Sequence, residues 1–145
     1  MINKIDDLRI INTQELISPK EIITLLSPSE RGINTIIDTR NEIKNILEKK
    51  TNKFIVVVGP CSIHDVDAAK EYAVKLKKLK ESLSDNILLI MRVYFEKPRT
   101  VIGWKGLIND PDLDGSFNIN NGIKLARQLL IDLSEMNVPC GHEFL

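Results

Sequence analysis

The sequence has little cysteine, no net charge and no long apolar run, and each shortage argues against a class of protein. Its two cysteines, Cys61 and Cys140, occur without an apolar signal-peptide core in MINKIDDLRI, which argues against a secreted disulfide scaffold. Lys plus Arg number 20 and Asp plus Glu number 20, so no overall field favours nucleic acid or an anionic membrane. No apolar stretch approaches the roughly 20 residues that span a bilayer. We therefore expect a cytoplasmic protein with no nucleic-acid or membrane partner.

Two helix starts lie in the first third of the chain. Ser18 and Ser27 are each followed by a proline and, three residues on, by a glutamate, the pattern of a serine-capped helix with proline at its first position. The second start predicts a long helix that ends at about Lys50. Its apolar stripe at helical spacing consists of Ile33, Ile36, Ile43 and Leu47.

From residue 53 onward the pattern alternates between strand and helix. FIVVV at 54–58 lacks polar alternation and predicts a strand buried on both faces of a parallel sheet. Asp65 is a cap for a helix whose stripe consists of Ala69, Tyr72, Leu76, Leu79 and Leu83. ILLIMRVYF at 87–95 predicts a second strand, IKLARQLLIDL at 123–133 another helix, and PCGHEFL at 139–145 the start of a third strand.

This succession predicts an α/β fold, either a doubly wound parallel sheet or part of a (β/α)₈ barrel. We expect residues 1–52 to form an N-terminal extension of arm and helices, and residues 53–145 to form the three strands and their helices. In both architectures ligands bind at the carboxyl ends of the strands. GPCSIHD at 59–65 and RVYFEKPRT at 92–100 fall at such ends, so both segments are candidate sites.

Cys61 stands between a proline and a serine just after the first strand. It is either a small buried apolar side chain or a thiolate that binds a transition metal or acts as a nucleophile. Its position in a loop at a strand end favours the thiolate, and His64 is the base nearest to it in sequence. One cysteine and one histidine are fewer than the four ligands of a usual metal site, so further ligands must come from elsewhere.

The segment MRVYFEKPRTVIGWKG at 91–106 is strongly basic. Arg92, Lys97, Arg99 and Lys105, with the hydroxyl of Thr100, could hold two anionic groups such as phosphates or carboxylates. The alternative is a solvated basic loop. Arg92 interrupts an apolar strand, however, and a charge in that position is costly unless it is paired or faces a ligand cavity.

Four strings resemble one known family: GPCSIHD, MRVYFEKPRT, GWKGLINDPDLDGSF and LARQLL. They are similar to the metal-dependent 3-deoxy-D-arabino-heptulosonate 7-phosphate (DAHP) synthases of the microbial, feedback-regulated type, and the likeness runs from IDDLRI to EFL. The resemblance implies a (β/α)₈ TIM barrel behind an N-terminal extension, in a homo-oligomer. It implies condensation of phosphoenolpyruvate with erythrose 4-phosphate, the entry step of aromatic amino-acid biosynthesis. The implied cofactor is a divalent transition metal: iron, manganese, cobalt, zinc or copper.

The resemblance also implies roles for individual residues. Cys61 would be a metal ligand and would act in catalysis together with Lys97. The residues that would bind substrate are Arg92, Lys97, Pro98, Arg99 and Thr100. Asp6 and Asp7 lie where the family makes subunit contacts and binds an inhibitory aromatic amino acid. Three more residues are expected to face the site: His64, Lys105 and Glu143.

A barrel needs about 250 residues, and the family's other metal ligands, a histidine, a glutamate and an aspartate, lie beyond the third strand. His142 and Glu143 cannot both replace them, because neighbouring residues of a strand face opposite sides. We therefore expect the 145 residues to be the N-terminal part of such a synthase, inactive alone. Two alternatives stay open: an inactive truncated product, or a non-catalytic regulatory or assembly module that pairs with a full-length subunit.

Overall fold

The computed structural model describes residues 8–10, 12–97 and 102–143. Its elements, in chain order, are α1 (Pro19–Leu25), α2 (Glu30–Leu47), β1 (Phe54–Val58), α3 (Val66–Leu83), β2 (Ile87–Arg92), α4 (Ile119–Glu135) and β3 (Cys140–Gly141). The three strands form one sheet in the order β1, β2, β3, and both pairings are parallel. The predicted α/β fold with a parallel sheet is confirmed.

The register of the sheet brings the carboxyl ends of the strands to one edge. β1 pairs with β2 from Phe54, opposite Ile87, to Val58, opposite Met91. β3 joins at the far end of β2, where Arg92 lies opposite Gly141. The residues that follow β1 and β2 therefore lie next to one another, which places both segments predicted to carry chemistry at the same end of the sheet.

β1 is not buried on both faces, and that prediction was wrong for the part of the chain described. Phe54 is 73% exposed and Val57 54% exposed. β1 is an edge strand of the three-stranded sheet and pairs with β2 alone. Only Val56 and Val58 of β1 pack against the buried core. The uniformly apolar sequence of β1 therefore predicts more burial than the described residues provide.

The helix starts were predicted correctly for α1 and two residues too early for α2. Ser18 accepts the N–H of Glu21, and the Glu21 side chain accepts the Ser18 N–H, which completes a capping box. α2 is capped by Ser29, whose hydroxyl accepts the Gly32 N–H. Ser27 instead donates its hydroxyl to the Ile23 carbonyl at the end of α1. Two serines flank the proline, and the chain uses the second as the cap.

The predicted apolar stripe of α2 is only partly covered, and the buried residues of the helix are small. Ile33, Ile36 and Leu47 are exposed and Ile43 is half-buried, whereas Gly32 and Thr35 are buried. A Cβ on Gly32 would lie 2.7 Å from the Ser134 hydroxyl of α4. The two helices therefore approach closely at Gly32, where the contact depends on the absence of a side chain.

The core lies between the sheet and the pair α3 and α4. Its fully buried members include Ala73 of α3, Met91 of β2 and Leu129 and Leu133 of α4. Leu79, predicted for the α3 stripe, is 48% exposed, and Ala73 takes a buried position that the prediction missed. α4 begins at Ile119 rather than at residue 123, and β2 ends at Arg92 rather than at residue 95. No helix among the described residues is long and apolar enough to span a membrane.

Candidate functional site at the carboxyl ends of the strands

The site begins where the chain leaves β1 and runs against the end of β2. A Cβ on Gly59 would lie 2.4 Å from the carbonyl oxygen of Arg92 and 3.0 Å from its nitrogen. Real Cβ atoms do not approach backbone atoms that closely, so glycine is required for this contact. Gly59 thus lets the segment that carries Cys61 rest directly on the β2 backbone.

Arg92, at the end of β2, is partnered by this same segment. Its Nη1 donates to the carbonyl oxygens of Pro60 at 2.6 Å and of Cys61 at 2.7 Å. The guanidinium carbon lies 3.6 Å from the centroid of the Tyr94 ring, a cation–π contact. A cation in an apolar strand was expected to be paired or to face a cavity. Two carbonyls and one aromatic ring are its partners here.

The two cysteines lie in opposite environments. Cys61 is exposed at the strand end. Cys140 is partly buried in β3, its thiol lies 3.4 Å from the Val138 carbonyl oxygen, and burial raises its pKa to about 12. A small apolar side chain therefore describes Cys140, while the accessible thiol that metal binding or nucleophilic attack requires is that of Cys61.

Lys97 and His64, predicted separately, meet at one cavity of ≈ 360 Å³. The cavity is lined by Ser62, His64, Lys97, Trp104 and Leu113. The Lys97 N–H donates to the Lys105 carbonyl at 2.9 Å, beside an antiparallel bridge between Glu96 and Gly106. This pairing folds the basic segment back on itself and holds Lys97 at the mouth of the cavity.

Glu143, just after β3, holds the backbone that leads to Lys97. Its side chain is 5% exposed, and Oε1 accepts the N–H groups of Phe95 at 2.8 Å and of Glu96 at 2.7 Å. Oε2 is buried, with no hydrogen-bond partner among the described residues. The neighbouring His142 side chain is 52% exposed, with Nδ1 3.9 Å from Oε2. The two neighbours thus differ in exposure, but both follow β3, which ends at Gly141, so the expectation that they face opposite sides of a strand stays a prediction.

Two contacts of this region escaped the sequence interpretation. Tyr94 stacks on Arg92, and the signal available was its i+2 spacing, which places both side chains on the same face of an extended chain. The Trp104 indole donates to the Asp110 carbonyl at 2.7 Å, and the buried Asp110 carboxylate accepts the Gly115 N–H. Nothing in the sequence marks that second pair.

Five of the predicted site residues lie outside the described residues: Asp6, Asp7, Pro98, Arg99 and Thr100. Among those that are described, no group of three or more His, Cys, Asp and Glu side chains could hold a metal ion. Cys61 is an accessible soft donor of the kind that transition metals bind, so it fits as one ligand. A complete metal site is not formed by the described residues.

These features define an α/β protein with a parallel sheet that carries an exposed thiol and basic side chains at the carboxyl ends of its strands. The sequence model described as the DAHP synthetase I family matches residues 30–145, and the chain belongs to that family.

Individual relatives cover nearly the whole chain. It is 49% identical over 140 residues to the Phe-sensitive phospho-2-dehydro-3-deoxyheptonate aldolase of Escherichia coli (strain K12), covering 97% of this chain and 40% of the relative. It is 46% identical to the Trp-sensitive enzyme of the same strain, covering 99% and 41%. A solved phospho-2-dehydro-3-deoxyheptonate aldolase from Francisella tularensis SCHU S4 superposes with a TM-score of 0.90 at 52% identity, covering 94% and 40%. The chain thus spans about two fifths of the length of these relatives.

Proposed function

We propose that the chain is the N-terminal part of a metal-dependent DAHP synthase, which condenses phosphoenolpyruvate with erythrose 4-phosphate at the start of aromatic amino-acid biosynthesis. The observation that carries the proposal is the family match over residues 30–145, with Cys61, Arg92 and Lys97 at one edge of the sheet. The proposal retains the cytoplasmic location expected from the sequence.

The described sheet is proposed to be the first three strands of a (β/α)₈ barrel. The strand order β1, β2, β3 supports this, because each new strand joins on the same side of the previous one. A doubly wound sheet reverses its strand order at a switch point. The exposed side chains of β1, Phe54 on one face and Val57 on the other, would then pack against later parts of the longer protein.

Lys97 and Arg92 are proposed to bind phosphoenolpyruvate. The Lys97 cavity of ≈ 360 Å³ falls in the size range of small-molecule sites. Arg92 uses Nη1 for the two loop carbonyls, and a guanidinium has five N–H donors, so its other edge can bind a carboxylate or phosphate. Lys97 would place a positive charge where negative charge develops during the condensation. The residues proposed to contact erythrose 4-phosphate are Pro98, Arg99 and Thr100.

Cys61 is proposed to be one ligand of a divalent transition metal, with the remaining ligands supplied by other parts of the longer protein. A bound metal would supply Lewis acidity toward the aldehyde of erythrose 4-phosphate. Cys61 itself would contribute the thiolate, and the exposed position after β1 supports that role. His64, Lys105 and Glu143 remain proposed as residues that face the site.

Regulation and assembly are proposed on the N-terminal extension. Two relatives are named Phe-sensitive and Trp-sensitive, and the proposal extends that sensitivity to an aromatic amino acid bound near Asp6 and Asp7. The extension would also contribute contacts to a homo-oligomer.

The same 145 residues are proposed to be inactive alone. The described part contains no group of three or more metal-binding side chains, which supports either an inactive product or an assembly module that pairs with a full-length subunit. Synthesis of DAHP by the purified chain would contradict this part of the proposal.

The decisive test is a chimera in which residues 1–145 replace the matching part of the Francisella tularensis relative. We expect DAHP and phosphate to form, because the chain would supply Cys61, Arg92 and Lys97 in their family positions. Cys61→Ser and Lys97→Met should abolish the activity, whereas the matched change Cys140→Ser should leave most of it. A folded chimera that is inactive while the unmodified relative is active would contradict the proposed function.

A further inference from the structure

We propose that Arg92 is a positioning residue for Cys61: it holds the loop that carries the thiol, and Tyr94 in turn holds the guanidinium. The loop concerned, here called the strand-exit loop, consists of residues 59–63. The inference rests on the proposed function in one respect, that the position of the Cys61 thiol matters for ligand binding.

The first step is the direction of the Arg92 contacts. Nη1 donates to two successive carbonyls, 2.6 Å from the Pro60 oxygen and 2.7 Å from the Cys61 oxygen. Hydrogen bonds from a charged donor are shorter and stronger than neutral ones. The two bonds fix the peptide planes on both sides of the Cys61 Cα, so they set the direction of its side chain without contact with the sulfur.

The second step is the anchoring of the loop on either side. Before Cys61, Gly59 lies against the Arg92 backbone, where a Cβ would come within 2.4 Å of the carbonyl oxygen. After it, the Ile63 N–H donates to the Tyr94 carbonyl at 2.7 Å, and the Ile63 side chain is 2% exposed. Both ends are therefore tied to the β2 chain, and the described contacts that hold the middle are those of Arg92.

The third step is the support of Arg92 itself. An arginine side chain has many rotamers, and ordering it costs conformational entropy. The guanidinium carbon lies over the face of the Tyr94 ring, 3.6 Å from its centroid, and this contact restricts the rotamers of Arg92. The hydroxyl is not part of that contact, so phenylalanine should support Arg92 as well as tyrosine does, and leucine should not.

The consequence is a pre-ordered thiol. Residues that hold a ligand from outside the metal sphere orient it and strengthen binding. Arg92 acts here on the backbone of the ligand residue, and an anion bound to the free edge of the guanidinium would lie next to the same loop. The position of Cys61 should therefore depend on a residue that does not touch its sulfur.

The test places a nitroxide spin label on Cys61 in the full 145-residue chain with Cys140→Ser, so that one thiol is labelled. Electron paramagnetic resonance reports the mobility of the label in the parent and in Arg92→Met, Arg92→Lys, Tyr94→Leu and Tyr94→Phe. A second set carries the label at Lys78→Cys on the exposed face of α3, with both native cysteines replaced by serine. This set reports whether the fold as a whole has loosened.

We expect Arg92→Met to shift the Cys61 label to a mobile line shape, with the Lys78 label unchanged. Arg92→Lys should give a smaller shift, because it retains the charge but loses the two-carbonyl geometry. Tyr94→Leu should mobilise the Cys61 label and Tyr94→Phe should not. In Arg92→Met we also expect hydrogen exchange at the Ile63 amide to rise about tenfold, equivalent to about 1.4 kcal/mol.

An unchanged Cys61 label in Arg92→Met, with the Lys78 label also unchanged, would overturn the proposal. If Arg92→Met loosens both labels, the Tyr94 pair decides: equal spectra for the leucine and phenylalanine variants overturn it, and mobilisation by leucine alone supports it. These outcomes do not involve metal or activity. Failure of the chimera would therefore count against the proposed function without touching this inference.

Discussion

Two regions each carry one of the two cysteines, and they place it in opposite environments. One is the strand-exit loop after β1; the other is the β3 segment, residues 137–143. The loop turns Cys61 outward while its backbone is held by Arg92, Gly59 and Ile63. The β3 segment buries Cys140, and the pKa of that thiol rises to about 12. Loops are usually the mobile part of a protein. Here the loop backbone is held by hydrogen bonds, while the Cys61 side chain is exposed. The difference shows that a fixed backbone and an accessible side chain are separate properties.

The largest expected effect is on thiol chemistry. At pH 9 a thiol with a pKa of about 12 is ionised in only about one molecule in a thousand. We expect Cys61, whose side chain is exposed, to be alkylated by iodoacetamide much faster than Cys140 in the folded chain, with mass spectrometry of peptides as the readout. In denaturant the two rates should converge. Comparable rates in the folded chain would remove the contrast between the two regions.

The next effect is steric and uses matched glycines in the two regions. Gly59→Ala should cost about 3 kcal/mol of unfolding free energy, because its Cβ would overlap the Arg92 backbone. Gly141→Ala should cost less than about 1 kcal/mol, since its Cβ would meet only the Ile90 side chain at 3.4 Å. Denaturant unfolding of both variants measures the difference. Equal losses would show that the loop can move away from β2 cheaply.

Substitution of Glu143 tests a contact in which a side chain of the β3 segment holds the backbone of the basic segment. Glu143→Ala should cost about 2 kcal/mol, because the Phe95 and Glu96 amides lose their acceptor. Glu143→Gln retains a carbonyl oxygen in that place and should cost less. Chemical denaturation with hydrogen exchange at the two amides is the measurement, and an alanine variant as stable as the glutamine variant would contradict this role.

The buried thiol also predicts a pH dependence. Burial raises the folded-state pKa of Cys140 from 9.0 to about 12, so the stabilisation from the neutral thiol is fully present below about pH 9 and is lost as the pH rises toward 12. Between those limits we expect a loss of about 1.4 kcal/mol per pH unit. Cys140→Ala should remove that slope, and Cys61→Ala should not. Unfolding curves at pH 8, 9 and 10 compare the three proteins.

The smallest effect concerns the entry to β3. Asn137 has a φ of 62°, and its carbonyl and side-chain oxygens accept from Lys80 Nζ at 2.9 and 3.1 Å. Asn137→Ala should cost about 1 kcal/mol through left-handed strain. Asn137→Gly tolerates that conformation and should cost less, although it too loses the side-chain contact with Lys80. Thermal unfolding of the two variants gives the comparison.

Local signals predicted the elements well. The capping box at Ser18 and the Asp65 cap, which accepts the N–H groups of Asp67 and Ala68, depend on residues three or fewer apart. The apolar runs of β1 and β2 likewise follow from composition. The start of α2 was misplaced because Ser27 has the local pattern of a cap, whereas the chain uses Ser29, whose N–H donates to Glu135 of α4. The close approach of Gly32 to α4 decides the packing.

The sequence singled out residues that the structure places at the strand ends, but it did not reveal their contacts. Cys61, Arg92 and Lys97 stand out in the sequence by type and position. The acceptors of Arg92 are backbone carbonyls 31 and 32 residues away, and every residue carries such a carbonyl. The backbone amides that Glu143 accepts are 47 and 48 residues away, and almost every residue carries such an amide. Partners of that kind become visible only when the strands are in register.

The attachment of residues 15–26 to α4 has a consequence for the order of events during synthesis. The Asn120 side chain accepts the Ile17 N–H and donates to the Glu15 carbonyl, over sequence separations of 103 and 105 residues. Arg127 likewise donates to the Leu26 carbonyl. At about 5–20 residues per second, translation needs roughly 5–20 s to extend from the arm to its partners on α4. Residues 15–26 thus dock only after α4 has been made, and nascent chains cut before residue 120 should leave them open to proteases.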